Sequence, residues 1–286
     1  MSNISASQVK ELREKTGLGL MDCKKALEES NGDLESAIEA LRKTSGLKAS
    51  KKASRSAADG LIGIKSSESM SFMVEINCET DFVARDDSFN LFMQEVLETV
   101  STNAGKPLEE LLADGIEDKR EKLVQKLGEN IVVRRIATTE NGADCSGNYL
   151  HSNNKIGSIV SLKGGTEQLA KDIAMHAAAT DPMALSPAEI PKDIIEKERE
   201  IYKAQSEESG KPAEIIEKMI EGKIKKFLSE VSLTEQEFVK DPSVKINDLL
   251  KEHNATIVGC TRFEVGEGIE VEKVDFASEV MSQIEG

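Results

Sequence analysis

The sequence predicts an α+β protein: three short helices, then two related subdomains, each an antiparallel sheet with its helices on one face, with a helical hairpin inserted into the second. Three observations carry this. Apolar residues recur at helical spacing up to residue 45 and switch to an extended pattern from Leu61. An order of two strand-like runs, a helix and a later strand occurs twice. Between the second helix of that pattern and its late strand, two apolar stripes flank the break Ser209-Gly210-Lys211-Pro212. A length of 286 residues accommodates one to three domains, and 38% hydrophobic with 31% charged residues is ordinary for a globular chain.

The elements follow in order. Ser5-Ala6-Ser7-Gln8 has the S-x-x-Q form of a capping box, with Val9 and Leu12 on one face behind it. Gly17 and Gly19 break that helix, because glycine accepts backbone angles that other residues resist. A second helix, about Met21 to Glu29, turns Cys23, Ala26 and Leu27 inward. Asn31-Gly32-Asp33 supplies a turn and a cap, and Leu34, Ala37, Ile38 and Leu41 stripe a third helix. Residues 44–60 carry Lys48, Lys51, Lys52 and Arg55 against Asp59 and almost no large apolar side chain, the composition of a solvated tether, with a basic arm for RNA or an acidic surface as the alternative.

From Leu61 the runs LIGIKSS and MSFMVEINCE, parted by Ser-Glu-Ser, read as a β-hairpin. A helix over about Ser88 to Thr99 buries Phe89, Phe92, Met93, Val96 and Leu97, two helical pieces follow, and ENIVVRRIATTE is a further strand. The second round runs from CSGNYLHSNNKIGSIVSLKGG through the helix TEQLAKDIAMHAAAT to the late strand ATIVGCTRFEVGEG. Inside it, Ser186-Pro187-Ala188-Glu189 reads as a capping box with proline at the first helical position. Ile194, Ile195, Ile201 and Tyr202 stripe the helix behind it, and Ile215, Ile216, Met219, Ile220 and Phe227 stripe the return helix.

Composition excludes some chemistries. A net charge of -15 argues against sequence-independent nucleic-acid binding, which rests on Lys and Arg displacing counterions from phosphates. No apolar run reaches membrane-spanning length, and the polar N-terminus lacks the form of a secretory signal, so the expected compartment is the cytosol. Cys23, Cys78, Cys145 and Cys260 are scattered without metal or redox spacing and read as free, inert thiols. No phosphate-cradling loop is present, and Gly266-Glu267-Gly268 is a lone G-x-G that reads as a turn, so no direct nucleotide binding, cofactor or metal is expected. His176 in an apolar helix reads as a core residue, His253 as a helix end, and His151, ahead of the polar turn Ser-Asn-Asn-Lys, as an exposed contact candidate. The stretch Thr80-Asp81-Phe82-Val83 joins a strand to a helix. There Asp81 and Phe82 either cap a helix and cover the core, or present an aromatic and a carboxylate together to a partner.

The motifs VKELREKTGLGLMDCKKALEESNGD, INCETDFVARDD, GENIVVRR, KIGSIVSLKG, IAMHAAA, VSLTEQEF and FEVGEGIE, in this order, resemble the bacterial elongation factor Ts family from near residue 4 to near residue 277. The resemblance implies a non-enzymatic guanine-nucleotide exchange factor that binds elongation factor Tu with GDP and speeds GDP release so that GTP can enter. It implies a ubiquitin-associated-like helical domain, a core of two related subdomains, a dimerising hairpin and a C-terminal module; with the basic linker at 46–57, these are expected over 1–45, 58–140 and 141–264, about 187–228, and 265–286. It assigns Thr80, Asp81, Phe82 and Val83 to dislodging the partner's Mg2+. His151 falls to a contact near the partner's phosphate-binding loop, and Leu20 and Met21 to an apolar contact from the helical domain. Leu20 stands where the family often has Met. The competing classes are a holding protein that leaves the nucleotide site alone and, more distantly, a thiol-dependent enzyme using Cys78 or Cys145.

Overall fold

The computed structural model describes residues 4–67, 70–207 and 212–270. Its chain divides into two compact units. The first takes the residues up to Leu61, Val74–Arg135 and the chain from Val265; the second takes Ile62–Met73 and Ile136–Glu264.

The first unit opens with helices α1 (Ala6–Thr16), α2 (Leu20–Glu29) and α3 (Leu34–Lys52). The expected capping box is made: the Gln8 amide donates to Ser5 Oγ at 3.3 Å and the Ser5 amide to Gln8 Oε1 at 3.0 Å. Val9, Leu12, Cys23, Leu27, Ala37 and Leu41 form the small core the stripes anticipated. The tether reading of 44–60, and with it a linker over 46–57, needs correction, since α3 continues through Gly46 to Lys52 and β1 begins at Asp59. Alanine and lysine are good helix formers, and the small side chains Ser45 and Ala49 are buried, each about 1% exposed. Both features sustain a helix that a count of large apolar residues misses.

Strands β1 (Asp59–Ser66) and β2 (Ser71–Cys78) follow, then the one-turn helix α4 (Asp81–Ala84), α5 (Asp87–Thr102) and α6 (Leu108–Leu111). A turn kinked at Asp114 and Gly115 leads into α7 (Glu117–Leu127) and β3 (Ile131–Thr138). The sheet order is β1-β2-β3, and β2 is buried along its whole length. The central strand therefore carries Glu75 and Asn77 into the interior together with Met73 and Ile76.

The second unit contains β4 (Cys145–Leu150), β5 (Ile156–Lys163), α8 (Glu167–Thr180), α9 (Lys192–Glu207), α10 (Ala213–Val231), the two-stranded β6 (Glu237–Phe238) and β7 (Asp241–Lys245), α11 (Ile246–Glu252) and β8 (Thr256–Glu264). β4 and β8 flank β5 in antiparallel register, so the order first, second, late strand recurs as the sequence pattern predicts. α8 lies directly on this sheet. A side chain at Gly147 would put its Cβ 2.1 Å from the Lys171 amide nitrogen, and Leu169, Ala170, Ile173, Ala174 and Ala177 pack with Val160 and Leu162. The hairpin tip Ile62–Met73 belongs to this unit rather than to a 58–140 subdomain. It packs there closely enough that a Cβ on Gly157 would lie 2.8 Å from Ile62 and 3.0 Å from Met73.

The helical hairpin exists, but its start differs from expectation. Ser186 and Glu189 bond to each other through their side chains at 2.9 Å and cap no helix; Pro187–Glu189 is a single tight turn. Pro191 forces Ile190 to extended angles and α9 starts only at Lys192. The break expected at Ser209 to Lys211, most of the tip of the β1–β2 hairpin and the C-terminal module beyond residue 270 lie outside the described residues.

His176 is a core residue, as its place in an apolar helix predicts. Its Nδ1 accepts from the Val239 amide at 3.2 Å, so Nε2 carries the proton and donates to Gln236 Oε1 at 2.9 Å. Burial lowers its pKa below the ordinary 6.5, outweighing the bond to Gln236. The unfolded chain therefore takes up a proton near pH 6.5 that the native chain refuses, and this contribution to stability, complete above that pH, is lost as the pH falls toward the native value. Urea midpoints measured between pH 7.5 and 5.5 are expected to fall for the native sequence and to flatten for His176→Gln; parallel slopes would refute the assignment.

Candidate functional site

Phe82 is 80% exposed, and of the phenylalanines among the described residues it alone is exposed. It sits on α4, a single turn placed between β2 and α5. Thr80 caps that turn by accepting from the Val83 amide at 3.4 Å. Val83 and Ala84 are buried at 9% and 2%, so helical spacing holds one side of the turn in the protein while Phe82 leaves from the other.

The turn is held from outside. Glu129, at the corner between α7 and β3, accepts from the Glu79 amide at 3.1 Å and the Thr80 amide at 3.0 Å through Oε2, and from the Thr80 hydroxyl at 2.6 Å through Oε1. The opposite corner reciprocates: Glu79 Oε1 accepts from the Asn130 amide at 2.6 Å. Asn130 Nδ2 donates to Arg55 O at 2.8 Å, which ties the pair to the chain after α3. Asp81 is half-exposed and pairs with Arg85 at 2.6 Å. Surface pairs of this kind contribute about 0.5 kcal/mol, so the carboxylate is cheaply released.

Leu20 and Met21 begin α2 and are exposed at 54% and 72%. Asp22 beside them accepts from Lys48 Nζ at 3.3 Å and Gln125 Nε2 at 3.2 Å, fastening the start of α2 to α3 and α7. Both apolar residues thus lie in the same compact unit as Phe82, on a different element. His151 belongs to the other unit. It follows β4 directly, is exposed, and its Nδ1 lies 3.1 Å from Tyr149 Oη, while Asn154, at φ 57°, returns the chain toward β5.

Burial pushes the Cys260 thiol up to about 12, and burial together with Glu167 and Asp144 raises Cys145, which leaves both poor nucleophiles. Among the described residues no cluster of His, Cys, Asp and Glu could hold a metal, and no helix is long and apolar enough to cross a membrane.

Residues 79–267 match the family model described as elongation factor TS. The chain is 54% identical over 288 residues to an elongation factor Ts of Hahella chejuensis, covering 100% of both chains. It is likewise 54% identical to one of Marinobacter nauticus, covering 98% of this chain and 97% of that one. The chain belongs to the elongation factor Ts family. The motif GENIVVRR, which carries part of the resemblance to elongation factor Ts, contains the Glu129 and Asn130 of the brace, although its sequence reads only as a strand with its lead-in. Nothing in local spacing pairs Glu129 with Thr80, 49 residues away.

Proposed function

We propose that the protein is a guanine-nucleotide exchange factor for elongation factor Tu, acting in the cytosol by binding the GDP form and weakening its hold on Mg2+ and phosphate. The observation that carries the reading is Phe82, a large apolar ring held in water on a braced turn beside a carboxylate. A single exposed apolar side chain is ordinary on a protein surface; what supports a partner here is that Phe82 is the most exposed of the large apolar side chains among the described residues and stands on a turn fastened by a carboxylate. Mg2+ demands near-octahedral geometry with several waters in place, so a ring wedged beside its site disturbs it by small displacements. Asp81 acts on the outer shell electrostatically and need not ligate the metal.

Energy sets the division of labour. Taking a closed site from 1:99 to 99:1 open requires about 5.5 kcal/mol of differential affinity, while burying one Phe contributes about 1.5 to 3 kcal/mol. The remainder falls to Leu20, Met21, His151 and further contacts that hold the strained partner. Because binding linkage is reciprocal, GDP must weaken this protein's affinity for the partner by the same factor.

Release of fluorescent GDP from elongation factor Tu, followed by stopped flow with and without this protein, tests the reading. Acceleration is expected; binding without acceleration would make it a holding protein. His151→Ala is expected to slow release about two- to tenfold at saturation, the scale of one lost hydrogen bond. An unchanged rate removes His151 from the mechanism. Ile201 and Ile215, each 47% exposed on the hairpin helices, support self-association through that hairpin, which sedimentation of a double Ile→Lys variant checks.

A further inference from the structure

We infer that Glu129 is a positioning residue for exchange, a side chain that reaches no partner and sets the direction in which Phe82 is presented. The inference rests on the exchange reading above. A single helical turn is not self-sustaining, because fixing its first residues costs more than its first hydrogen bond returns. α4 has four residues, and its ring, 80% exposed, gains little packing from its own protein. The backbone must therefore hold the ring's direction; buried Val83 and Ala84 fix one side of the turn, and its entry at Glu79 and Thr80 hangs from Glu129.

The carboxylate takes three donors from two successive residues, the amides of Glu79 and Thr80 and the Thr80 hydroxyl. The hydroxyl bond does double duty. By spending its proton on Glu129 Oε1, Thr80 turns a lone pair toward the Val83 amide, which makes the helix cap depend on the brace. The platform is anchored in turn. Gly128, at φ 81°, ends α7 in a conformation that disfavours side chains, and its carbonyl accepts from Lys52 Nζ on α3. The Asn130 amide donates to Glu79 and the Glu79 amide to Glu129, so the two corners exchange hydrogen bonds in both directions and neither rotates alone.

A residue acting only through Phe82 has a distinctive signature: its removal matters only while Phe82 is there. The test combines two measurements on full-length Glu129→Ala, Glu129→Gln, Phe82→Ala and the Glu129→Ala/Phe82→Ala double variant. Amide hydrogen exchange in the free protein is expected to quicken at Glu79 and Thr80 by about tenfold or more in Glu129→Ala. Glu129→Gln, which keeps an oxygen acceptor for both amides, recovers most of the protection, and native exchange at the buried β2 amides in each variant shows that it folds. In GDP release from elongation factor Tu, Glu129→Ala lowers the maximal rate about tenfold with a smaller change in the half-saturating concentration, and adds little to Phe82→Ala. Wild-type protection at Glu79 and Thr80 in Glu129→Ala, or losses that add in the double variant, overturns the inference while the exchange function stands. Failure of the unmodified protein to accelerate release overturns the function and, with it, this role.

Discussion

Phe82→Ala is expected to slow stimulated GDP release from elongation factor Tu by roughly ten- to a hundredfold and to leave the protein folded. The rate follows from the ring's burial energy, about 1.5 to 3 kcal/mol, if that energy is realised only as the nucleotide site opens. The unaltered stability follows from its 80% exposure, which means that deletion opens no cavity. Phe89, seven residues on, is the internal contrast. It is fully buried, and its replacement by alanine costs about 3 to 5 kcal/mol of stability. Two aromatics on consecutive elements therefore separate function from folding. Complex formation in Phe82→Ala, measured by titration calorimetry against nucleotide-free partner, should weaken far less than the release rate falls. A loss confined to binding would show that the ring docks without prying.

What the sequence shows of this site and what it hides divide along a physical line. Phe82 is legible because the polar, helix-forming residues after it and the strand before it place a turn there, and local pattern sets local structure. Its exposure is not legible, since an aromatic next to a cap serves equally well to cover a core. Only the burial of Val83 and Ala84 on the other side of the turn decides the matter. Glu129 is hidden for a different reason: its hydrogen bonds join corners far apart in sequence, and no periodicity reports such pairs. The same holds in the fold. The stripes of Leu12, Leu27 and Leu41 announce their core, whereas the second half of α3 packs through Ser45 and Ala49, which carry too little apolar surface to register as a stripe. The two-residue strand β6 is too short to show alternation, and its five-residue partner β7 has no buried side chain to alternate.

Glu75→Ala is expected to lower the stability of the protein by about 3 kcal/mol and to loosen the segment after β8. On the fully buried β2, the Glu75 carboxylate meets Arg134 at 3.0 Å, the Arg135 guanidinium, Asn77 Nδ2 at 3.1 Å and the Gly266 amide at 2.9 Å. Arg135 also reaches Glu267 at 3.0 Å, so the tight turn at 265–268 is fastened to the sheet from both sides. Gly266 is seated too closely for any other residue: at φ 77°, an added Cβ would lie 2.1 Å from Ala58 O. Burial by itself pushes the Glu75 carboxyl up. The Gly266 amide, Arg135 and Asn77 together reverse this and hold it below the ordinary 4.5. Removing the carboxylate leaves two guanidiniums that keep only 26% and 29% exposure, which places the cost at the lower end for a broken buried pair rather than near zero. The pH dependence has a definite sign. The unfolded chain takes up a proton at about 4.5 and the native chain only at lower pH. The stabilisation is therefore complete above that value and is lost as the pH falls through the native pKa. The stability difference between the native sequence and Glu75→Gln should accordingly shrink below pH 4.5. At neutral pH, Glu75→Ala should both lower the urea midpoint and speed hydrogen exchange at the Gly266 amide. A lowered midpoint with Gly266 still protected would mean that the buried charge matters to the sheet alone, and that the turn after β8 is held by its own packing against Ala58.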